Sequence, residues 1–373
     1  MLYFDYNATT PLSSASREAW IQASEQFPGN PSSPHRLGAR ASKALEEARE
    51  KLAARLGCEP HEIVWTSGAT ESSNTAVRHF GATSDGEAWV SAIEHPCVLT
   101  AVRREFKGRH RLIPVSADGT IGLDWLQGAL AKTRPAFIGL MAANNETGVL
   151  QPWREVLTLC REHEVPLFCD AAQWIGKLPA DGLGACDFVS GCAHKFTGPR
   201  GVGFLKTSAE LRPLLVGGPQ EDGRRAGTEN VAGVLAMVAA LESKEQGIRD
   251  EGPHLESLKS GFERNLKRVL PGVQIVGARV PRLWNTTLAV MPELANCQQR
   301  WVVKLDKLGF AVSTGSACAS GKEEPSHVLA SMGYAPAQAG RALRFSAGWE
   351  TEARDWTELL AGLEQAWRQL AEA

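Results

Sequence analysis

The sequence lacks an excess of either charge: Lys and Arg total 40 against 42 for Asp and Glu, a formal net charge of −2 over 373 residues. Without a positive surplus there is little to neutralise a run of phosphates, which excludes a nucleic-acid partner bound by bulk electrostatics. Long apolar runs are lacking too. Stretches free of charge, such as residues 230–241 and 308–321, fall short of the about 20 apolar residues a bilayer helix needs. The second is mostly small and polar, so no membrane partner is expected. The opening Met1-Leu2-Tyr3-Phe4-Asp5 lacks the basic-then-apolar pattern of a secretory signal, and a cytoplasmic location is expected. No pair among Cys58, Cys97, Cys160, Cys169, Cys186, Cys192, Cys297 and Cys318 has CxxC spacing, which removes zinc-ribbon and thioredoxin readings. In a cytosolic chain of this size they are not a disulfide framework. Internal repeats and low-complexity segments are absent. What is present, 43% hydrophobic and 22% charged residues, is the composition of an ordinary folded protein and excludes a disordered one.

Residues 36–57 read as an amphipathic helix, with Leu37, Ala41, Leu45, Ala48, Leu52 and Leu56 recurring at steps of three and four before Gly57 ends it. Short apolar runs then alternate with helical stretches: Ile63-Val64-Trp65, Ala88-Trp89-Val90, Leu112-Ile113, Phe137-Ile138-Gly139-Leu140-Met141, Pro166-Leu167-Phe168-Cys169, Phe188-Val189 and Gly203-Phe204-Leu205. The alternation predicts an α/β fold built of right-handed βαβ units around a buried, mostly parallel seven-stranded sheet. A long helix is predicted from Val231. Beyond about residue 250 the texture becomes α+β, with helices near 253–269, 294–308 and 351–371 and strands near 273–276, 287–291 and 343–346. The expected division is a large domain, 15–250, and a smaller one made of 1–14 and 251–373. Pattern alone does not place the first fifteen or so residues.

Four polar segments follow apolar runs, where open parallel sheets bind ligands. Thr66-Ser67-Gly68-Ala69-Thr70-Glu71 opens a helix and exposes backbone N–H groups at its positive end, which suits a phosphate or serves as an ordinary cap. It is not a P-loop, because no Gly-Lys-Ser/Thr follows, and Gly201-Val202-Gly203 is no GxGxxG. Asn144-Asn145-Glu146-Thr147-Gly148 is the second. Asp170-Ala171-Ala172-Gln173 is the third, its acid a partner for a cationic ring nitrogen or a plain helix cap. In Ser190-Gly191-Cys192-Ala193-His194-Lys195 the lysine, if partly desolvated, has an amine freed for carbonyl chemistry, although most lone lysines are surface residues.

Together with Tyr6-Asn7-Ala8-Thr9-Thr10-Pro11, Gly29-Asn30-Pro31-Ser32-Ser33, Glu94-His95, Arg224-Arg225-Ala226-Gly227-Thr228-Glu229-Asn230, Gly315-Ser316-Ala317-Cys318 and Arg344-Phe345-Ser346, these segments run in order along nearly the whole chain. The constellation resembles the pyridoxal 5'-phosphate (PLP) enzymes of the class V aminotransferase group, and within it the NifS/IscS-like cysteine desulfurases. The resemblance implies the type I fold of PLP-dependent transferases, with PLP as cofactor and L-cysteine as substrate. Lys195 would tether PLP and later move the substrate Cα proton. Asp170 would pair with the ring nitrogen, His95 would stack on the ring and transfer protons, and Gln173 and Asn145 would bond near its phenolic oxygen. Ala69, Thr70, Cys192 and His194 would hold the phosphate or the ring's edge. Thr228 would reach the neighbouring subunit's phosphate, which implies a homodimer. Arg344 would clamp the substrate carboxylate, with Asn285 and Asn30 as further contacts. Cys318, among small polar residues, would take the sulfur as a persulfide and pass it to an acceptor or an iron–sulfur scaffold protein. No intrinsic metal is implied, only transient contact of that persulfide with an iron–sulfur cluster.

Three departures from the family pattern bear on these expectations. Cys192 stands where a Ser hydroxyl usually holds the phosphate, and a thiol is a weaker donor. Pro219 and Asp222 replace residues that are commonly Gly and basic ahead of Arg224. The last helix is expected to end about where the chain stops, at Ala373, which puts a scaffold docked on a C-terminal extension in doubt. The competing functions are selenocysteine lyase, an aminotransferase or lyase of the same fold that would not need Cys318, and a non-catalytic docking partner.

Overall fold

The computed structural model of the chain describes residues 1–208, 210–294, 297–314 and 326–372. Cys318 and the motif around it lie outside the described residues.

The apolar runs form the strands of one seven-stranded sheet. In chain order these are β2 (Ile63–Thr66), β3 (Ala88–Ser91), β4 (His110–Ile113), β5 (Phe137–Met141), β6 (Leu167–Asp170), β7 (Phe188–Cys192) and β8 (Gly203–Thr207), all following a short N-terminal β1 (Leu2–Tyr3). They lie side by side as β2-β8-β7-β6-β5-β3-β4. Every neighbouring pair is parallel except those of β8, which runs antiparallel to both β2 and β7. A parallel sheet covered on both sides must be apolar on both faces, and the period of two shows which side chain goes where. Trp65, Trp89, Ile138, Leu140, Leu167, Cys169 and Val189 point to one face. Val64, Val90, Phe137, Phe168 and Phe188, their neighbours along the strands, point to the other.

Helices α2 (Arg36–Leu56), α6 (Trp153–Glu162) and α7 (Val231–Asp250) cover the first face. α3 (Ala69–Thr83) and α4 (Pro96–Phe106) cover the second. Two shorter helices complete this part: α1 (Ser14–Gln26), which packs along α7, and α5 (Leu123–Leu130). In α2 the expected stripe is buried except at Leu37, which is exposed in the first turn; Gly57 caps the helix in the left-handed conformation.

The C-terminal residues add β9 (Gln274–Ile275), β10 (Thr286–Val290), β11 (Phe310–Ala311) and β12 (Ala342–Ser346), with β10 antiparallel to both β9 and β12. Around them lie α8 (Gly252–Val269), α9 (Cys297–Lys307), α10 (His327–Ser331), α11 (Pro336–Ala339) and α12 (Ala353–Ala371). The strands with α8, α9 and α12 share a separate apolar cluster that includes Phe262, Trp301, Phe345 and Trp356, while α10 and α11 pack in another with Ile93, Met141 and Leu288. The N-terminus belongs with the first of these: β1 pairs with β11, and Phe4 packs on Trp356. Among the described residues no helix is long and apolar enough to cross a membrane.

Candidate active site

A cavity of about 560 Å³ opens where β3, β5, β6 and β7 end. Five of the expected cofactor-side residues, His95, Asn145, Asp170, His194 and Lys195, are gathered by these strand ends and line it. Ala69, Thr70, Gln173, Cys192 and Arg344 line it as well.

Lys195 is placed by a tight turn. β7 ends at Cys192, residues 193–195 make a single 3-10 turn, and Gly198 closes it where a Cβ would press on Ala193. The Lys195 ammonium is part-buried and donates to the backbone oxygens of Asn7 at 2.6 Å and Ala8 at 2.9 Å. Asp170 is buried at the end of β6, and its Oδ1 accepts from the Ser190 hydroxyl at 3.1 Å and the Ala172 N–H at 3.0 Å. His95 caps α4: its Nδ1 accepts from the Cys97 N–H at 3.2 Å. A neutral ring therefore carries its proton on Nε2. Burial, with Lys195 and His327 adding to it, pushes this histidine's pKa down against the opposing pull of Asp170, so the neutral ring is favoured.

At the other end of the cavity α3 begins at Ala69 after Gly68, with no side-chain cap. Gly203 makes room for that turn, because a Cβ there would overlap Gly68. Cys192 accepts from the Ala69 N–H, and burial pushes its thiol up to about 11. The thiol occupies the place expected for a hydroxyl and stays protonated. His194 is held at about 4, first by burial and then by Lys195 and Arg200; its Nδ1 lies 3.2 Å from the Thr9 hydroxyl. The cavity thus carries cationic Lys195, Arg200 and Arg344 on its lining. One of its buried acids, Glu146, has its carboxyl pushed up by burial. That balance suits an anionic ligand.

Asn7 is the hub that the sequence reading quoted in a motif but gave no role. Its oxygen accepts from Lys195 and, at 2.9 Å, from Gln173 Nε2. Its side-chain amide donates to the Asn145 oxygen at 3.1 Å and to the Thr286 hydroxyl at 2.9 Å, and its Oδ1 accepts from Asn285 at 3.1 Å. Asn285 thereby touches the site through Asn7. Arg344 is buried, donating to Asp5 at 2.7 Å and to the Asn145 oxygen at 2.9 Å. Asn30 and Thr228 are exposed and do not line this cavity. Arg200, Glu146 and His327 do, and had not been singled out. The Gly-Pro-Arg after Lys195 was the available signal for Arg200. Among the described residues no group of three or more His, Cys, Asp or Glu could hold a metal ion.

The donor set fits PLP. It offers one lysine amine, a buried hydrogen-bonded carboxylate, a neutral imidazole and an uncapped helix start, all on one cavity. Residues 2–359 match the model of the aminotransferase class-V family. The chain belongs to that family. It is 36% identical to the cysteine desulfurase IscS of Dictyoglomus turgidum, over 98% of this chain and 94% of that protein. Identity with the cysteine desulfurase of Klebsiella pneumoniae is 38%, over 97% and 91%. Among solved structures it is similar to the NifS-like protein of Rickettsia africae, with a TM-score of 0.89, 29% identity and 99% of each chain covered. A further neighbour, described as SspA in complex with cysteine, has a TM-score of 0.80 and 29% identity over 93% of this chain and 98% of that one. The mostly parallel central sheet is the one the apolar runs predicted, and the PLP-dependent fold is the one the resemblance implied.

Proposed function

We propose that the chain is a cysteine desulfurase that, with PLP bound, converts L-cysteine to L-alanine and hands the sulfur to an acceptor through Cys318. The observation that carries this reading is the convergence of Lys195, Asp170, His95 and Arg344 on one cavity, in a chain so similar to cysteine desulfurases. Lys195 would hold PLP covalently, Asp170 would face its ring nitrogen, and Ala69, Thr70, Cys192 and His194 would hold its phosphate end. Bound PLP supplies an electron sink that lets the bonds at the substrate's Cα and Cβ break. Lys195 then takes the Cα proton. Arg344, with its fork anchored by Asp5 and the Asn145 oxygen, binds the substrate carboxylate. The Cys318 thiolate attacks the substrate sulfur: the new S–S bond forms as Cβ–S breaks, Cβ takes up a proton, and the products are alanine and a persulfide on Cys318. A thiolate, not a thiol, is the nucleophile, and burial keeps the Cys192 thiol protonated, which argues against Cys192 in that role.

The two-domain division at 15–250 is part of the proposal, as are a cytoplasmic setting and a homodimer in which exposed Thr228 serves the partner's cavity. Incubation with L-cysteine, with alanine and sulfide measured with and without a reductant, tests the reading. One persulfide per subunit, on the Cys318 peptide, is expected before turnover. Alanine without that persulfide would favour a lyase of the same fold.

A further inference from the structure

Behind the cavity lies a charge that the proposed chemistry does not use. Lys177 is 4% exposed and does not line the cavity. Gly176, in the left-handed region at φ 77°, turns the chain so tightly that a Cβ there would overlap Phe196. Lys177 is then fixed from both sides: its N–H donates to the Trp174 oxygen at 3.0 Å, and its oxygen accepts from the Trp284 indole at 3.0 Å. The side chain reaches back one turn, where Nζ donates to Gln173 Oε1 at 2.7 Å and to the Gln173 oxygen at 3.3 Å. Among the described residues no carboxylate pairs with it. A buried ammonium with no counter-charge is costly, so a fold that keeps one does so against its own stability.

Gln173 lines the cavity, and its amide has two ends with opposite character. An ammonium has three donors and no acceptor. It can face only the oxygen of that amide, which turns Nε2 toward the Asn7 oxygen at 2.9 Å and toward the cavity. We propose that Lys177 is a positioning residue that locks the Gln173 amide with its N–H donors presented to the bound cofactor. The inference rests on the PLP reading of the cavity.

The lock has a built-in weakness. The titratable and charged groups that face Lys177 are Lys195, Cys192, Arg344 and His194. Burial first, then Lys195, lower its pKa to about 7. Once deprotonated, the amine has a lone pair and can also accept from Nε2, so the Asn7 oxygen alone still sets the amide's orientation. The donor set is therefore held by both partners while Lys177 is charged and by one once it is not.

Lys177→Met and Gln173→Leu should each release PLP from the holoenzyme about tenfold faster on dilution, the size expected for one buried hydrogen bond to a charged ligand. The double variant should be no faster than the faster single variant, because both act through one amide. The wild-type release rate should also rise with pH in a step that is absent from both single variants. If Lys177→Met does not fold, Lys177→Gln serves: it removes the charge, keeps a donor, and should lose the step. Wild-type release from folded Lys177→Met or Lys177→Gln, effects that multiply in the double variant, or a pH step that persists in Gln173→Leu would each overturn the proposal. Wild-type protein with no visible PLP band would overturn the PLP reading itself.

Discussion

Two regions of the molecule bury a lysine, and they treat it differently. On α8, Lys259 is 1% exposed, donates to the Leu283 oxygen at 2.9 Å and pairs with Glu256 at 2.9 Å. Its neighbour Arg282 is bidentate to Glu263, at 2.7 and 2.8 Å, and the same carboxylate accepts from Thr287. Every charge there has its counter-charge within the fold. Lys177 has only an amide and a backbone oxygen. Burial lowers the pKa of both lysines, so burial does not separate them. The partner does. Charge compensated on the spot holds a structure together; charge left to an amide at a cavity wall is kept for what the cavity binds.

The widest gap between the regions should appear at Lys195. Lys195→Ala should lower turnover on the order of a thousandfold or more while the circular dichroism stays native, because the lysine carries chemistry and not packing. Borohydride reduction and peptide mapping of the wild type should find PLP on the Lys195 peptide. PLP fixed to Lys177 instead would collapse the distinction between a reacting lysine and a positioning one.

Cys318→Ser comes next. A serine hydroxyl cannot become a persulfide, and its high pKa leaves almost no alkoxide, so alanine production should fall to near background. Steps that need only Lys195 and the cavity should survive, and L-cysteine should still change the visible spectrum of the variant. Near-normal alanine production, or a persulfide on the Cys192 peptide, would sink the assignment.

Lys259→Met sharpens the comparison from the other side. It strands the Leu283 oxygen and leaves Glu256 without its cation, which should cost about 1–3 kcal/mol in urea unfolding. PLP release and turnover per folded molecule should not change. A faster PLP release in this variant would mean that the two regions are not separable.

The same contrast explains what was legible in the sequence. Strands betray themselves as apolar runs, and reactive groups sit just after them, so Lys195, Asp170 and His95 could be read in order along the chain. Strand direction cannot be: the run at β8 looks like its neighbours but is antiparallel to both. α1 went unread, as its residues carry no strong apolar stripe. Contacts between residues far apart in sequence also left no local trace. Arg344 with Asp5, Asn7 with Asn285, and the buried Arg49–Glu221 pair at 3.0 Å all join distant segments. Lys177 was hidden for the plainest reason. A lysine after Ile175-Gly176 reads as a solvated turn residue until the fold closes over it.

The smallest effect is a slope. Lys177 has a pKa of about 7 in the folded protein and about 10.4 in an unfolded chain. Between those values the unfolded state holds a proton that the folded state has released, so stability must rise with pH, by up to about 1.4 kcal/mol per pH unit. The difference in slope between the wild type and Lys177→Met from about pH 7 to about pH 8.5 isolates this effect, because the other titrating groups are common to both. Unfolded histidines, near pH 6.5, have finished titrating below that window, His194 included, since its folded pKa of about 4 makes its own rise end there. Cysteines raised when folded, among them Cys58 and Cys192 at about 11, pull the other way inside this window, because unfolded thiols are half ionised at about pH 8.5. Lys259 contributes in the same direction as Lys177, but with a carboxylate beside it to hold its proton. Urea unfolding of PLP-depleted protein across the window should show the wild type gaining stability relative to Lys177→Met as pH rises, while Lys259→Met keeps nearly the wild-type slope. Parallel curves for the wild type and Lys177→Met would place the Lys177 pKa outside the window and remove the physical basis for treating the two buried lysines as different.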